Sequence, residues 1–101
     1  MSREHEPVRV LIVDDDSIVA AGLAAMLDSD GIVTRLAASG SEAVDAAHSW
    51  EPDLVILDIG LPDADGRDVC TAIRAGHAIP VILVSGHVVR VPPAPGVAFL
   101  R

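Results

Sequence analysis

Asp14-Asp15-Asp16, Asp58 and Ser85 are the residues whose types could do chemistry together. Each follows directly on a short apolar run: Val8 to Val13, Asp53-Leu54-Val55-Ile56-Leu57, and Pro80 to Val84. Three carboxylates converging on one pocket repel one another, which raises their pKa values and destabilises a fold unless a cation is present. Mg²⁺ suits such a set because it prefers hard oxygen ligands, takes few carboxylates and keeps several waters. Its remaining positions can accept a phosphoryl oxygen, and an Asp carboxylate can itself be the nucleophile, giving an aspartyl phosphate. The metal then offsets charge that builds up on the transferring group. Ser85 can donate a hydrogen bond to a phosphoryl oxygen, and Gly86 beside it leaves room for access.

That chemistry requires elements that bring the three places together. Val8-Arg9-Val10-Leu11-Ile12-Val13 is apolar on nearly every residue, the pattern of a strand buried on both faces. Asp16 or Ser17 can then cap a helix in which Ile18, Val19, Gly22, Leu23, Met26 and Leu27 recur at helical spacing. Ile32 to Ala37 reads as a second strand. Ser39-Gly40-Ser41-Glu42 opens a second helix with Ala43, Val44 and Ala47 facing inward, closed by Trp50 and Pro52. Asp53 to Leu57 is the third strand, followed by a loop from Ile59 to Gly66 and a third helix from Arg67 to Ala75 with Val69, Cys70 and Ile73 inside. Pro80 to Val84 is the fourth strand. Pro92, Pro93 and Pro95 then break any ordinary helix, and Gly96 to Leu100 reads as a fifth strand. Alternating strands and helices imply βαβ units, a parallel sheet and right-handed crossovers. Ligand groups in such sheets gather beyond the carboxyl ends of the strands, where the acids and Ser85 stand.

Composition narrows the function further. The chain has 101 residues, 50% hydrophobic and only 2% aromatic, so one domain with an aliphatic core is expected. Seven basic residues against fifteen acidic give a net charge of −8, which disfavours nucleic acid or an anionic membrane as this segment's direct partner. All seven basic residues are Arg, and no Lys occurs. The single Cys70 forms no internal disulfide. No run approaches the ~20 apolar residues of a membrane span, and Met1 to Pro7 is a polar tail rather than a signal peptide. A cytoplasmic protein is expected.

The three motifs together resemble a known family. Val10 to Asp16, then Leu54-Val55-Ile56-Leu57-Asp58-Ile59-Gly60-Leu61-Pro62-Asp63-Ala64-Asp65-Gly66, then Pro80 to Gly86 are similar to the receiver domain of bacterial response regulators. The likeness covers about residues 8 to 86 strongly and 96 to 101 weakly. It implies an α/β, flavodoxin-like, doubly wound parallel sheet of five strands in the order 2-1-3-4-5 over residues 8–101. It also implies that Asp58 accepts a phosphoryl group from a histidine kinase or phosphotransfer protein. Asp14, Asp15, Asp58 and the backbone carbonyl of Gly60 would hold Mg²⁺, Asp15 more directly than Asp14. Ser85 and Gly86 would meet the phosphoryl group, Phe99 would be the aromatic that reorients on activation, and His87 would modulate dephosphorylation. Asp16 is better explained as a helix cap. His5, His48 and His77 read as solvated surface residues.

The chain also departs from the family's pattern. The segment between Ser85 and Phe99 is short and proline-broken, so the fourth helix is expected to be degenerate and the fifth absent. The family's Lys would fall just past Arg101, and Arg101, one residue short on a strand, would point to the other face. The sheet face behind Val84, Val97 and Phe99 would then be partly bare, and a homodimer is expected. Two other readings compete. A degenerate receiver would act only as an interaction module, without phosphorylation. Asp14-x-Asp16 also resembles the haloacid dehalogenase phosphatases, but those enzymes need a downstream Lys. No enzyme activity is expected beyond Mg²⁺-dependent self-phosphorylation and self-dephosphorylation.

Overall fold

The computed structural model describes residues 6–85 and 96–100, the last three by backbone alone. Four parallel strands form its centre: β1 (Arg9–Val13), β2 (Val33–Ala37), β3 (Leu54–Asp58) and β4 (Val81–Val84), in the order 2-1-3-4. The backbone of β5 (Val97–Leu100) runs parallel beside β4, with Val97 opposite Val81 and Leu100 opposite Val84. Three helices connect the strands: α1 (Ser17–Ser29), α2 (Gly40–Trp50) and α3 (Gly66–Arg74). The expected four-strand order and three helices are therefore present. The expected loss of a fourth helix falls on residues outside those described, as do Gly86, His87 and the first five residues.

Side chains alternate across a strand, so each strand serves two layers. Leu11, Val13, Val55, Leu57, Val81 and Leu83 are buried on one face, beneath Ala43 and Ala47 of α2 and Val69, Cys70 and Ile73 of α3. Val10 and Ile12 face the other layer, where Ala20, Leu23, Ala24 and Leu27 of α1 cover them. Leu54 and Ile56 join this second cluster but, like Ile82 and Val84, they remain half-buried. Among the described residues this second face is well covered over β1 and half-buried over β3 and β4.

The apolar spacing in α1 misleads on which residues pack. Ile18, Val19 and Met26 are exposed, Ile18 at 82%. From Ser17 to Leu27 the helix has no charged residue, so two apolar stripes were available to it. The stripe Ala20-Leu23-Ala24-Leu27 wins because its small alanines let the helix lie close to the sheet. Element boundaries have similar local causes. Ile32 donates its N–H to Leu27 O (3.1 Å), so it still belongs to the turn that ends α1, and β2 begins at Val33. Asp53 precedes β3 because its carboxylate accepts the Arg9 N–H (2.8 Å), which closes the start of β1. Glu51, with φ of 53°, ends α2 in the left-handed region ahead of the buried Pro52.

Two substitutions separate these roles. Leu57→Ala opens a cavity between the sheet and the α2/α3 layer and should cost about 2–5 kcal/mol in denaturant unfolding. Ile18→Ser should change stability by less than about 0.5 kcal/mol, because its side chain packs against nothing that unfolding would lose.

Candidate functional site

The carboxyl ends of β1 and β3 lie side by side because Val13 pairs with Leu57. Asp14 and Asp58 each come next, so the register alone puts two acids on neighbouring strands. Asp14 extends the β1–β2 ladder by one residue, its N–H donating to Ala37 O at 3.0 Å. Its Oδ1 then accepts the N–H of Asp16 (2.9 Å), which turns the chain from strand to helix. Asp16 caps α1, accepting the N–H groups of Ile18 (3.0 Å) and Val19 (3.2 Å). Of the two candidate caps, Asp16 and Ser17, the structure uses Asp16.

Asp14, Asp15 and Asp58 converge: one carboxylate oxygen from each lies within 4.8 Å of the others. Asp14 and Asp58 are half-buried and Asp15 is exposed. Burial pushes the Asp14 carboxyl above its ordinary range, and the negative charges of Asp58, Asp15 and Asp16 add to the rise. The N–H from Asp16 opposes them in part. Three carboxylate oxygens this close form an all-oxygen donor set of the kind that fits a hard divalent ion. Asp16 is not part of the cluster.

Asp58 is held from its own loop, its Oδ1 accepting the Gly60 N–H at 3.1 Å. On the far side it pairs with Val84, whose carbonyl accepts the Ile59 N–H at 3.0 Å. Ser85 follows Val84 and is buried at the same end of the sheet. Phe99 has its backbone opposite Leu83 in β5, while its side chain lies outside the described residues.

The loop after Asp58 contains positioning contacts that the sequence pattern did not single out. A Cβ on Gly66 would stand 2.5 Å from Ile59 Cα and 2.6 Å from Asp58 O, both backbone atoms that cannot swing away. Only glycine allows α3 to start against the residue that carries the central carboxylate. Asp63 reaches across to α2, accepting the N–H groups of Gly40 (2.8 Å) and Ser41 (3.3 Å). Those bonds, Gly40's first, hold its carboxyl below the usual range. No local pattern announces this contact, since the partners lie 23 residues apart. Asp65 caps α3 through the Arg67 N–H (2.8 Å) and also pairs with the Arg67 guanidinium (2.7 Å).

With this geometry in view, the family can be decided. The family profile for the response regulator receiver domain matches residues 10–91. The chain belongs to that family. Receiver segments of named regulators are similar to it: the DNA-binding response regulator MtrA of Mycolicibacterium smegmatis is 39% identical over 77 residues, 76% of this chain and 34% of MtrA. The response regulator MprA of Mycolicibacterium vanbaalenii is 40% identical over 82 residues, 80% of this chain and 36% of MprA. The chain thus spans about a third of the length of the curated relatives it matches. Among solved structures, a CheY-like receiver domain from Methanospirillum hungatei superposes with a TM-score of 0.80 at 26% identity, covering 83% of this chain and 68% of that one. The regulator TrrA of Thermotoga maritima, solved with Mg²⁺ and BeF, gives a TM-score of 0.75 at 33% identity, covering 79% and 70%. These relatives withdraw one expectation. The expectation of no direct nucleic-acid partner, read from acidic charge, finds no support in relatives that include the DNA-binding regulator MtrA.

The Asp65 cap has a defined pH dependence. The Arg67 side chain first, and then its backbone N–H, hold the Asp65 carboxyl at about 2, against an ordinary value of 3.8. A lowered folded-state pKa means the contribution is fully present above 3.8 and is lost as pH falls toward 2. Asp65→Ala should cost about 1 kcal/mol near neutrality and should flatten acid unfolding across that window. Gly66→Ala should destabilise by more than about 1 kcal/mol, with the largest amide shifts at Asp58 and Ile59.

Proposed function

We propose that residues 8–101 are the receiver unit of a two-component response regulator, with β5 as its fifth strand, and that Asp58 is its phosphoacceptor. The observation that carries this reading is the convergence of Asp14, Asp15 and Asp58 at the carboxyl end of the sheet. In the reaction, an Asp58 carboxylate oxygen attacks the phosphorus of a phosphohistidine on a histidine kinase or phosphotransfer protein. The O–P bond forms as the P–N bond breaks, and the imidazole leaves. The Gly60 N–H on Asp58 Oδ1 fixes the carboxylate's orientation before attack. Ser85 donates its hydroxyl to a phosphoryl oxygen, with Gly86 giving access, and Phe99 and His87 respond to or modulate the product.

Asp14, Asp15, Asp58 and the Gly60 carbonyl are the groups that would hold Mg²⁺, and the all-oxygen donor set fits it. When bound, the ion would supply positive charge to the transferring phosphoryl oxygens and offset the mutual repulsion of the three carboxylates. The phosphatase alternative loses its second acid, because Asp16 is committed to capping α1. A degenerate receiver has no need of three carboxylates held against their repulsion.

The half-buried Leu54, Ile56, Ile82 and Val84 leave an apolar sheet face for association, so a homodimer remains part of the proposal. Among the described residues no helix is long and apolar enough to cross a membrane. A cytoplasmic setting is proposed from the kinase partner.

Intact-mass analysis after acetyl phosphate and Mg²⁺ tests the assignment. One phosphoryl group should add to the wild type and none to Asp58→Asn; a phosphoryl adduct that persists in the variant overturns it. Millimolar Mg²⁺ should raise stability by about 1–3 kcal/mol at ten- to hundredfold excess over its dissociation constant, and Asp15→Ala should remove most of the gain.

A further inference from the structure

Outside the acidic pocket, the fold brings together two residues that the sequence leaves 29 positions apart. His48 lies in the last turn of α2, and His77 lies in the connection from α3 to β4. Their rings stack with centroids 4.8 Å apart and planes at 29°. Both side chains are exposed. The His77 backbone is anchored by its N–H to Arg74 O at 3.1 Å. Among the described residues no hydrogen bond holds either ring, so each can turn about its Cβ–Cγ bond.

We propose that His48 and His77 form a second cation site, selective for a borderline divalent transition ion such as Cu²⁺, Ni²⁺ or Zn²⁺. Imidazole nitrogen suits these ions, whereas Mg²⁺ demands oxygen, so the two sites differ in kind. Two nitrogen ligands at about 2.0–2.1 Å from one tetrahedral ion stand about 3.4 Å apart. Rings centred 4.8 Å apart are close enough for one nitrogen of each to reach a common ion once the rings turn. Water fills the remaining positions. Asp45, one turn before His48 on the same helix, and the net charge of −8 draw cations to the region. A bound ion ties the end of α2 to the segment that feeds β4, whose other end carries Ser85.

Titration of the full chain with NiCl₂ tests this, with MgCl₂ present in excess so that the acidic pocket is occupied. Wild type, His48→Gln, His77→Gln and a His5→Gln/His87→Gln double variant are compared, each checked for native circular dichroism. One Ni²⁺ should bind per wild-type chain and raise the melting temperature. Either single substitution should weaken binding by about tenfold or more, and the double variant should bind as wild type does. Electron paramagnetic resonance with one equivalent of Cu²⁺ should show coupling to two nitrogens. Saturable binding that survives either single substitution overturns the proposal. So do loss of binding in the double variant, a single-nitrogen copper signal, or the absence of saturable binding in wild type.

Discussion

Repulsion among three carboxylates is the constraint around which this end of the molecule is built. Left to themselves, Asp14, Asp15 and Asp58 would separate, yet they are held with oxygens within 4.8 Å of one another. The parallel register does the holding. With Val13 opposite Leu57, the residues that follow cannot avoid each other without breaking the ladder. The restoring force is the apolar burial of Leu11, Val13, Val55 and Leu57, each essentially inaccessible to solvent. Each of these side chains is worth about 1.5–3 kcal/mol when fully buried. The core therefore holds the three acids together, and the raised Asp14 pKa reflects its burial first and its acidic neighbours second.

The loop behind Asp58 shows how little freedom the site has. Gly66 brings α3 against the Asp58 carbonyl, and Gly66 N–H donates to Ile59 O at 2.9 Å. Asp63 links the same loop to the first turn of α2, and Asp65 and Arg67 lock the start of α3. Two helix N-termini are thereby fastened to the loop that directly follows the central acid. These contacts lie away from the pocket's own oxygens, but they set where those oxygens stand. By contrast, the start of α1 is held only through its own residues Asp14 and Asp16 among the described residues, and the Ile18 and Val19 side chains face solvent.

Both layers of the sheet share strands but not coverage. The α2/α3 side is closed by two helices that pack on each other, and its residues on β3 and β4 are fully buried. Among the described residues the α1 side closes over β1 and reaches Leu54 and Ile56 of β3, and Leu54, Ile56, Ile82 and Val84 are half-buried. The chemistry sits where the closed layer meets the ends of β1, β3 and β4. Rigidity is thus concentrated on the side that positions Asp58, and available apolar surface on the other.

Much of this was legible in the sequence. Apolar runs ending in Asp14, Asp58 and Ser85 marked three strands and the end of the sheet at which a site would lie, although burial on both faces holds only for β1. Ser39 marked a helix start for equally local reasons. Other features depend on contacts between residues distant in the chain. The choice of Ala20-Leu23-Ala24-Leu27 over Ile18 and Met26 as the packed stripe of α1 follows from how closely the helix must approach the sheet. The Asp63 bond to Gly40, the 2.5 Å approach that excludes a side chain at Gly66, and the His48–His77 stack likewise join separate elements. The sequence by itself determined which elements form and where the acids end up along the strands, since those depend on local pattern and pairing. Only the tertiary structure decided which faces are covered and which distant side chains meet, because packing distance between elements is not encoded at any single position.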